Sequence, residues 1–480
     1  MDVKTSFDGS IYMRKEEFIK ADGAAFPGKV FTDALLRPLF DYQRSHLFDA
    51  MMQIHAAHTQ MLAEQKILAE SEAGKILNAI REVWKMDRAE LKYSAEHEDL
   101  FFLVESKIGE LIGEELAGKM HIAKSRNDMG EAMYRIVLRK YLAETVEQAE
   151  ALAEALLAQA EEHVESVMPA HTHTQPAQPT TFGHYLVAVY DNLIRDIERL
   201  KRARHTVNQS PMGAAAITTT GFPISRERMV ELLGFEGMIE NSYDAIGTGD
   251  YLIEAAQSLV SLMTNMGRWI QEFLRMASKE VGLLRVSDAY VQISSIMPQK
   301  RNPVSMEHSR ALASSAAAEG LAVIHMIHNT PYGDINDTED DLQPHLYTGI
   351  EKANRVLRLM HAVVTTLTFN KDRALRQARE NMITITELAD VLARDYGVSF
   401  RRAHHKASLI AREADRQEKE LYEIPLETVN GWLGDVELTA EDWNAIADPV
   451  AFVERRRITG GPAPDVVRGM IAKRKQEKDA

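Results

Sequence analysis

Cysteine is absent from this sequence, which excludes disulfide bonds, thiolate nucleophiles and zinc sites built on cysteine. Glycine and proline are scarce, at 26 and 15 of 480 residues, and this scarcity favours long helices over many short strands. Apolar runs of membrane-spanning length are also missing, and the N-terminus lacks the apolar segment of a secretory signal. We therefore expect a helical, cytoplasmic protein with no membrane partner.

Positive charge is in short supply. The 56 lysines and arginines are outnumbered by 71 aspartates and glutamates, which gives a formal net charge of −15. That balance argues against binding to nucleic acid or to an anionic membrane, because both need a basic surface on the protein. A small anionic substrate would have to find its positive charge in a local cluster of residues.

Five segments carry apolar residues at spacings of three or four, which is the pattern of amphipathic helices. Several are about 20 residues or longer, so each would span roughly 30 Å. Five such helices with broad apolar faces predict an all-α fold whose central bundle packs against other subunits. The segments are Val137–Val167, Phe182–Leu200, Tyr251–Leu274, Pro303–Ile327 and Leu346–Leu367.

The helical segments divide the chain into three predicted domains. Residues 1–121 form an N-terminal helical domain, residues 122–370 hold the long bundle helices, and residues 371–480 form a small helical domain with a basic tail. Each polar stretch between the long helices precedes or follows one of them. We therefore expect these stretches to gather at the ends of the bundle.

Histidines cluster in the sequence HTHTQP, which contains His171 and His173, and His121 is a third candidate metal ligand. Without cysteine or an HExxH helix, their spacing matches no standard metal site. A histidine in a segment rich in threonine, glutamine and proline is better suited to proton transfer. We therefore expect no metal, and this segment is a candidate source of an acid or a base.

The sequence KSRND places Lys124, Arg126 and Asn127 within five residues. One interpretation is a solvated helix start, with Ser125 or Asp128 as the cap. The other is a carboxylate-binding site, which would require Arg126 to point inward for a two-pronged contact. The residues alone leave both interpretations open.

The sequence ISSIMPQKRNP at 293–303 is either a polar turn before a helix or a site that removes a proton beside a carboxylate. Lys300 and Asn302 bring a charge and an amide to the point just before the last proline, where a helix start offers free N–H groups and the helix dipole to an anion. Ser294 and Ser295 supply two hydroxyls at the other end of the loop. Removal of a proton beside a carboxylate requires a base and several donors, since the resulting aci-carboxylate carries two negative charges.

These motifs coincide with those of one family. SSIMPQKRNP resembles the Ser-Ser-x-x-x-Pro-x-Lys-x-Asn loop of the aspartase/fumarase superfamily. HTHTQPAQPTTFGH and KSRND are similar to the corresponding runs of its argininosuccinate lyase branch, and EHEDL, NSYDA and FRRAHH also fall in the expected order. The resemblance covers roughly residues 35 to 410, and several independent motifs in order identify the chain as a member of the superfamily.

The resemblance implies a homotetramer with a central bundle of twenty helices, five from each chain, and active sites that are each built by three chains. It also implies anti elimination of an amine from an N-substituted aspartate, a small dicarboxylate, with release of fumarate. No metal or organic cofactor takes part in that reaction.

Carried onto matching positions, the resemblance assigns four catalytic residues. Ser294 would abstract the Cβ proton, and Lys300 would hold the carboxylate that becomes the aci-carboxylate. His173, oriented by Glu307, would act as an acid or polarising group. The positions assigned to substrate binding are Arg126, Asn127, Thr172, Gln175, Ser295, Met297, Asn302, Val304, Asp334 and Glu339.

The sequence departs from the family pattern at three places. Ile293 stands where the family loop has glycine, and a β-branched residue stiffens that hinge. Val304 stands where the branch has aspartate. The segment DINDTEDDL puts Asp334, Glu339 and Leu342 where the branch has tyrosine, glutamine and lysine that contact substrate. This acidic segment is either a solvated loop or a site for a cationic or differently shaped amine.

Two classes of function remain. The first is a carbon–nitrogen lyase, with argininosuccinate as the default substrate and an aminopolycarboxylate or diamine conjugate, of the kind split by ethylenediamine-disuccinate lyase, as the rival. The second is a catalytically silent relative, like the lens crystallins of this family. We favour the enzyme because the expected base and its partners are all present. Elimination from adenylosuccinate or a carboxymuconate uses the same scaffold but lacks the support of the HTHTQPAQPTTFGH likeness.

Overall fold

Long helices make up most of the chain in the computed structural model, which describes residues 14–479. The prediction of an all-α fold is confirmed. In chain order the α-helices are α1 (Lys15–Asp22), α2 (Lys29–Phe31), α3 (Arg37–His46), α4 (Phe48–Glu64), α5 (Glu70–Trp84), α6 (Leu100–Ile112), α7 (Glu114–Gly118), α8 (Arg126–Glu162), α9 (Phe182–Val207), α10 (Arg226–Leu233), α11 (Ser242–Gly247), α12 (Asp250–Ala277), α13 (Val304–Met326), α14 (Leu342–Thr366), α15 (Lys371–Arg379), α16 (Ile385–Arg394), α17 (Phe400–Arg416), α18 (Leu426–Leu433), α19 (Ala440–Ala447), α20 (Pro449–Glu454) and α21 (Pro464–Asp479).

Shorter elements lie between these helices. Two π-helical turns occur at Thr32–Leu36 and Asp337–Asp341. The 3₁₀ turns are Arg88–Glu90, Lys119–His121, Asp288–Tyr290 and Leu421–Glu423. The strands are β1 (Val167–Thr172), β2 (Gln175–Thr181), β3 (Gln209–Ser210), β4 (Gly237–Met238), β5 (Leu284–Arg285), β6 (Gln292–Ile293), β7 (Arg301–Asn302) and β8 (Thr368–Phe369).

The five predicted long helices are present as α8, α9, α12, α13 and α14. Apolar spacing locates their centres well, as α12 shows. Its predicted apolar face is buried throughout, with side chains at most 1% exposed. These side chains are Leu252, Ala255, Leu259, Met263, Met266, Ile270 and Phe273.

Several predicted helix ends are wrong, since α8 already begins at Arg126 and α9 continues to Val207. The first long helix was expected to include Val167, but α8 ends at Glu162 and Val167 begins strand β1. The fourth was expected to begin at Pro303, but its first helical residue is Val304. The Pro303 carbonyl accepts the N–H groups of Met306 and Glu307 at 3.0 and 3.1 Å, so Pro303 precedes the helix as its cap residue.

The residues form two compact units. The first comprises the chain up to Ala143, Leu200–Ser258 and Glu319–Thr348. Its main apolar core is built from α4, α5, α6 and the first turns of α8. Aromatic and long aliphatic side chains fill this core, including Phe48, Ile54, Ile76, Val104 and Met129.

The second unit comprises Glu144–Arg199, Leu259–Ala318 and Gly349–Ala480. One of its apolar cores lies between α16, α17 and the short helices that follow them. Beside that core the buried carboxylate of Glu387 accepts hydrogen bonds from three guanidinium groups, those of Arg394, Arg455 and Arg456. The charge of Glu387 is compensated in this way, as burial of a carboxylate requires.

The strands pair into four two-stranded sheets in the described part of the chain. β1 pairs antiparallel with β2, and β6 pairs antiparallel with β7, so each pair forms a hairpin. β3 and β4 are parallel, and β5 and β8 are antiparallel. Across residues 14–479 no helix is both long and apolar enough to cross a membrane.

Candidate active site

Asp128 fastens the start of α8 to a neighbouring loop. Its Oδ1 accepts the N–H of Ser125 at 2.9 Å, and its Oδ2 accepts the N–H groups of Gly213 and Ala215 at 3.0 and 3.1 Å. Burial raises the pKa of Asp128 to about 6, although the three N–H groups act to lower it. Ser125 is therefore the cap residue, and the buried Asp128, in the first turn, accepts the N–H of Ser125 and fixes the orientation of that turn.

Arg126 lines a cavity of about 400 Å³ in the first unit, and Asn127 lines it as well. The Arg126 guanidinium donates to Asp99 at 2.9 Å and to Glu98 at 3.3 Å, and it lies over the ring of Phe102. Burial opposes its charge, but Asp99 and Glu98 hold the pKa of Arg126 above its ordinary value. Among the described residues, Arg126 supplies the one guanidinium of this cavity, and it is already paired with two carboxylates.

Lys124, only two residues earlier, faces a different environment. Its ammonium group is buried and lies 2.8 Å from Nδ1 of His55. Burial lowers the pKa of Lys124 to about 8. Lys124 does not line the cavity of Arg126 and Asn127, because successive residues at a helix start point in different directions.

The acidic segment 334–342 reaches the same cavity. Asp334 and Glu339 both line it, as do Asp340 and Asp341, whereas the apolar Leu342 is fully buried and does not. Burial, followed by the neighbouring carboxyl of Asp334, raises the pKa of Glu339 to about 8. Burial also raises the pKa of Asp340 to about 6. The acidic segment therefore contributes four carboxylates to the cavity lining, of which Asp334 and Asp341 are also exposed to solvent.

The pKa of Glu339 gives a testable effect on stability. Between pH 4.5 and about 8 the folded protein holds a proton on Glu339 that the unfolded chain has lost, so ionising this carboxyl destabilises the fold as pH rises. We expect Glu339→Gln to be more stable than the wild type, with a difference in unfolding free energy that grows by about 1–2 kcal/mol from pH 6 to pH 8. Urea denaturation at several pH values measures this difference.

Asp337 provides the control for that experiment. It is exposed, lies in the same acidic segment and does not line the cavity. The stability difference between Asp337→Asn and the wild type should not depend on pH in this range. A pH-independent difference for Glu339→Gln would contradict the raised pKa.

Thr172, His173 and Gln175 lie at the tip of the hairpin formed by β1 and β2 in the second unit. Thr172 pairs with Gln175, which leaves His173 and Thr174 as a two-residue turn with φ angles of 50° and 65°. Left-handed backbone at a histidine and a threonine is unfavourable and often marks a functional constraint. The three candidate side chains are exposed at this tip.

The serine loop is held between β6 and β7, also in the second unit. Gln292 pairs with Asn302 and Ile293 with Arg301. Between these pairs the Oγ of Ser294 accepts the N–H groups of Ile296 at 3.3 Å and Met297 at 3.0 Å. Two N–H donors directed at one hydroxyl oxygen favour its deprotonated form.

Anchors at both ends fix the base of this loop. Arg301 donates to the carbonyl of Val286 and forms an ion pair with Asp288. Ser305 donates to the carbonyl of Tyr290 at 2.9 Å. The loop tip between these anchors is exposed, and Ile296 has 86% of its surface accessible.

Lys300 follows the loop tip and is exposed, with its N–H bonded to the carbonyl of Met297 at 3.0 Å. Within residues 14–479 its ammonium group has no ion-pair partner. Asn302 and Val304 are half-buried, and Glu307 is exposed in the first turn of α13. An exposed lysine next to a helix start remains available to a substrate carboxylate.

The structure sorts the candidate residues into three groups. The cavity of the first unit brings together Arg126, Asn127, Asp334 and Glu339. The hairpin tip carries Thr172, His173 and Gln175. The remaining candidates belong to the serine loop and the first turn of α13: Ser294, Ser295, Met297, Lys300, Asn302, Val304 and Glu307.

Two sites considered from sequence are not formed by the described residues of a single chain. The described residues include no hydrogen bond between His173 and Glu307. They also contain no group of three or more histidine, aspartate or glutamate side chains placed to hold a metal ion.

Sequence reasoning missed some residues of the cavity. Glu98 and Asp99 belong to the EHEDL motif, but nothing in that motif indicated a pairing with Arg126. Glu131, which does not line the cavity, is buried one turn after Asn127 in α8 and before the predicted helix start at Val137, so the apolar pattern did not include it.

Two family models match the chain. A model described as lyase matches residues 37–317, and one described as argininosuccinate lyase C-terminal matches residues 382–454. The first of these covers more than half of the chain.

Curated relatives extend the match over nearly the whole sequence. Argininosuccinate lyase 2 of Agrobacterium fabrum strain C58 is 41% identical over 459 residues, which are 94% of this chain and 91% of the relative. Argininosuccinate lyase of Methanosarcina barkeri strain Fusaro is 36% identical over 432 residues, which are 90% of this chain and 87% of the relative.

A solved structure shows the same similarity in three dimensions. The crystal structure of EDDS lyase in complex with formate superposes with a TM-score of 0.83 at 31% sequence identity. The match covers 95% of this chain and 91% of that one.

Proposed function

Because this chain belongs to the argininosuccinate lyase branch of the fumarase/aspartase superfamily and is a fumarate-forming carbon–nitrogen lyase, we propose that it eliminates an amine from an N-substituted aspartate by abstraction of the Cβ proton. The observation that carries this mechanism is the hydroxyl of Ser294, whose oxygen accepts two backbone N–H groups. A serine can act as a base only where its surroundings favour the alkoxide, and these donors provide that.

The proposed elimination proceeds in three steps. The Ser294 alkoxide takes the Cβ proton, and the electron pair of that C–H bond moves into the adjacent carboxylate to give the aci-carboxylate. That electron pair then forms the Cα=Cβ double bond while the C–N bond breaks, and its electrons leave with the nitrogen. The nitrogen takes up a proton, for which His173 is the proposed donor. The products are fumarate and a free amine.

Lys300 and Asn302 are the proposed partners of the aci-carboxylate. The second negative charge develops only as the Cβ proton leaves, so a cation and a donor at this carboxylate stabilise the transition state more than the bound substrate. Both residues lie directly before α13, whose first turn adds free N–H groups and a positive helix end. Ser295 and Met297 would close the loop over the substrate.

We also propose a homotetramer whose active sites each combine residues of three chains. The exposed serine loop and the exposed hairpin tip are suited to completion by another subunit. Since one chain shows no hydrogen bond between His173 and Glu307, that pairing would form across a subunit boundary. Thr172 and Gln175 would bind substrate beside His173.

Two substrate candidates follow. Argininosuccinate is the default, and the curated relatives that carry that name support it. The cavity lined by Asp334 and Glu339 favours a different amine, because these carboxylates stand where the branch has a neutral tyrosine and a neutral glutamine.

Fumarate release tests the proposed function. The purified protein is incubated with argininosuccinate, with other N-substituted aspartates, with adenylosuccinate and with a carboxymuconate substrate, and fumarate is followed by its ultraviolet absorbance. We expect fumarate from at least one N-substituted aspartate. In deuterated water, the reverse addition of an amine to fumarate should place one deuterium at Cβ.

The alternatives give different results in the same experiment. Turnover of only adenylosuccinate or the carboxymuconate compound would contradict the proposed substrate class. A protein that releases no fumarate from any substrate and adds no amine to fumarate would be a silent structural relative.

A further inference from the structure

The cavity that contains Arg126 and Asn127 has an excess of negative charge. Six carboxylates and a single guanidinium line it among the described residues. Asp99 and Glu98 already neutralise that guanidinium, at 2.9 and 3.3 Å. The carboxylates without a basic partner in the cavity lining are Asp334, Glu339, Asp340 and Asp341.

Glu131 is a further buried carboxylate, which does not itself line the cavity. It is 3% exposed, and its Oε2 has no hydrogen-bond partner among the described residues. The cation nearest to it, Nε of Arg135, lies 3.9 Å away. Burial raises the pKa of Glu131 to about 8, and the charge of Asp334 adds to this rise, while Arg135 and the Tyr251 hydroxyl act against it. The charge of Glu131 in turn contributes to the raised pKa of Glu339.

Arg135 does not extend into the cavity. Its guanidinium stacks over the ring of Tyr251, 3.8 Å from the ring centre, and donates to the carbonyls of Thr206 and Val207. Arg135 therefore does not line the cavity, and it does not offset the charges of the lining carboxylates Asp334, Glu339, Asp340 and Asp341. Like charges that share a buried site favour a bound cation, because the cation allows them to ionise together.

Part of the cavity wall is apolar. Phe26, Phe31, Leu35 and Leu36 line the cavity, and the rings of Phe26 and Phe31 lie 5.7 Å apart. Such a wall suits an alkyl chain, and an aromatic face also attracts an organic cation. The volume of about 400 Å³ lies in the usual range of small-molecule sites.

We propose that the leaving amine carries a second positively charged group at its far end and no carboxylate, as in a diamine or an aminoalkylguanidine. Asp334 and Glu339 bind that group. An α-carboxylate on the amine, as arginine has, would meet the lining carboxylates with only a guanidinium that is already paired, so its desolvation would go uncompensated. This inference rests on the proposed function and on the assignment of Arg126 and Asn127 to substrate binding, which the family resemblance implies.

Three amines that differ in one group each test this assignment. Agmatine carries an amine and a guanidinium, arginine adds a carboxylate to the same skeleton, and N-carbamoylputrescine replaces the guanidinium with a neutral urea. Each is incubated with fumarate and the full-length protein, and the N-substituted aspartate is quantified by mass spectrometry. We expect kcat/KM for agmatine to exceed that of the other two amines by about tenfold or more, since a charge-assisted hydrogen bond contributes that much.

Variants locate the source of the preference. Glu339→Gln and Asp334→Asn should each reduce the ratio of agmatine to N-carbamoylputrescine by about tenfold. Asp337→Asn, in the same segment but outside the cavity lining, should leave the ratio unchanged. Because the ratio compares two amines in one preparation, a partly unfolded variant still gives a valid result.

The outcomes separate the two proposals. If arginine or N-carbamoylputrescine reacts as well as agmatine, the amine assignment is wrong, while the proposed lyase activity stands. An agmatine preference that both cavity variants retain overturns the roles of Asp334 and Glu339. Absence of any adduct, together with no fumarate release from N-substituted aspartates, refutes the proposed function itself.

Discussion

Ser294→Ala is expected to lower kcat by about 10²- to 10⁴-fold, the usual contribution of a positioned base. The substitution removes the oxygen that would take the Cβ proton. It should barely change thermal stability, because the two N–H groups that Ser294 accepts lie in an exposed loop where water can replace its oxygen. Steady-state kinetics of fumarate release and thermal unfolding measure the two quantities.

Ser399→Ala is the matched control for this prediction. Ser399 is exposed before α17 and its hydroxyl caps no helix N–H, so its loss should leave kcat unchanged. Ser294→Ala should also stop the exchange of the Cβ proton with solvent, which a purely structural role of Ser294 would not affect selectively. A kcat within twofold of the wild type in Ser294→Ala would rule out its role as the base.

Lys300→Met is expected to lower kcat by about 10²- to 10³-fold, with a smaller change in KM. The reason is the second charge of the aci-carboxylate, which is present in the transition state and absent from the bound substrate. Since Lys300 is exposed and without an ion-pair partner in the described chain, its removal should not destabilise the fold. Initial rates over a range of substrate concentrations separate kcat from KM.

Lys300→Arg and Lys279→Met complete this test. Arginine restores the charge but not the geometry of the ammonium group, so partial recovery of kcat is expected. Lys279 is an exposed lysine in the loop after α12, and its substitution should have no effect on kcat. A loss that appears only in KM would show that Lys300 binds substrate and transition state equally, which would contradict its proposed role.

Comparison with relatives supports the family and the reaction class, and it does not identify the substrate. The family and the fumarate-forming reaction class follow from matches over more than 90% of the chain. The amine does not follow from them, because the segment that differs most from the family pattern, 334–342, lines the cavity assigned to that amine. Our proposal therefore assigns the choice of amine in this protein to a few side chains outside the serine loop.

The sequence by itself determined the helices and the reaction class. Apolar residues every three or four positions located α12 with its buried face, because helical periodicity is a local property of the chain. The serine loop could also be recognised from the sequence, since its serines, lysine and asparagine lie within ten residues of one another. Helix ends were less accurate, as Pro303 and Val167 show, because capping depends on hydrogen bonds formed at a single position.

Only the tertiary structure decided where the acidic segment faces. From sequence, Asp334 and Glu339 could equally have belonged to a solvated loop. Lys124 and Arg126 could have lined the same site. In the folded chain Lys124 is buried against His55 while Arg126 pairs with Asp99, and the carboxylates of 334–341 meet this pair in one cavity. These contacts join residues from about 30 to more than 200 positions apart, so the path of the chain through the fold decides them, and local sequence patterns do not encode that path.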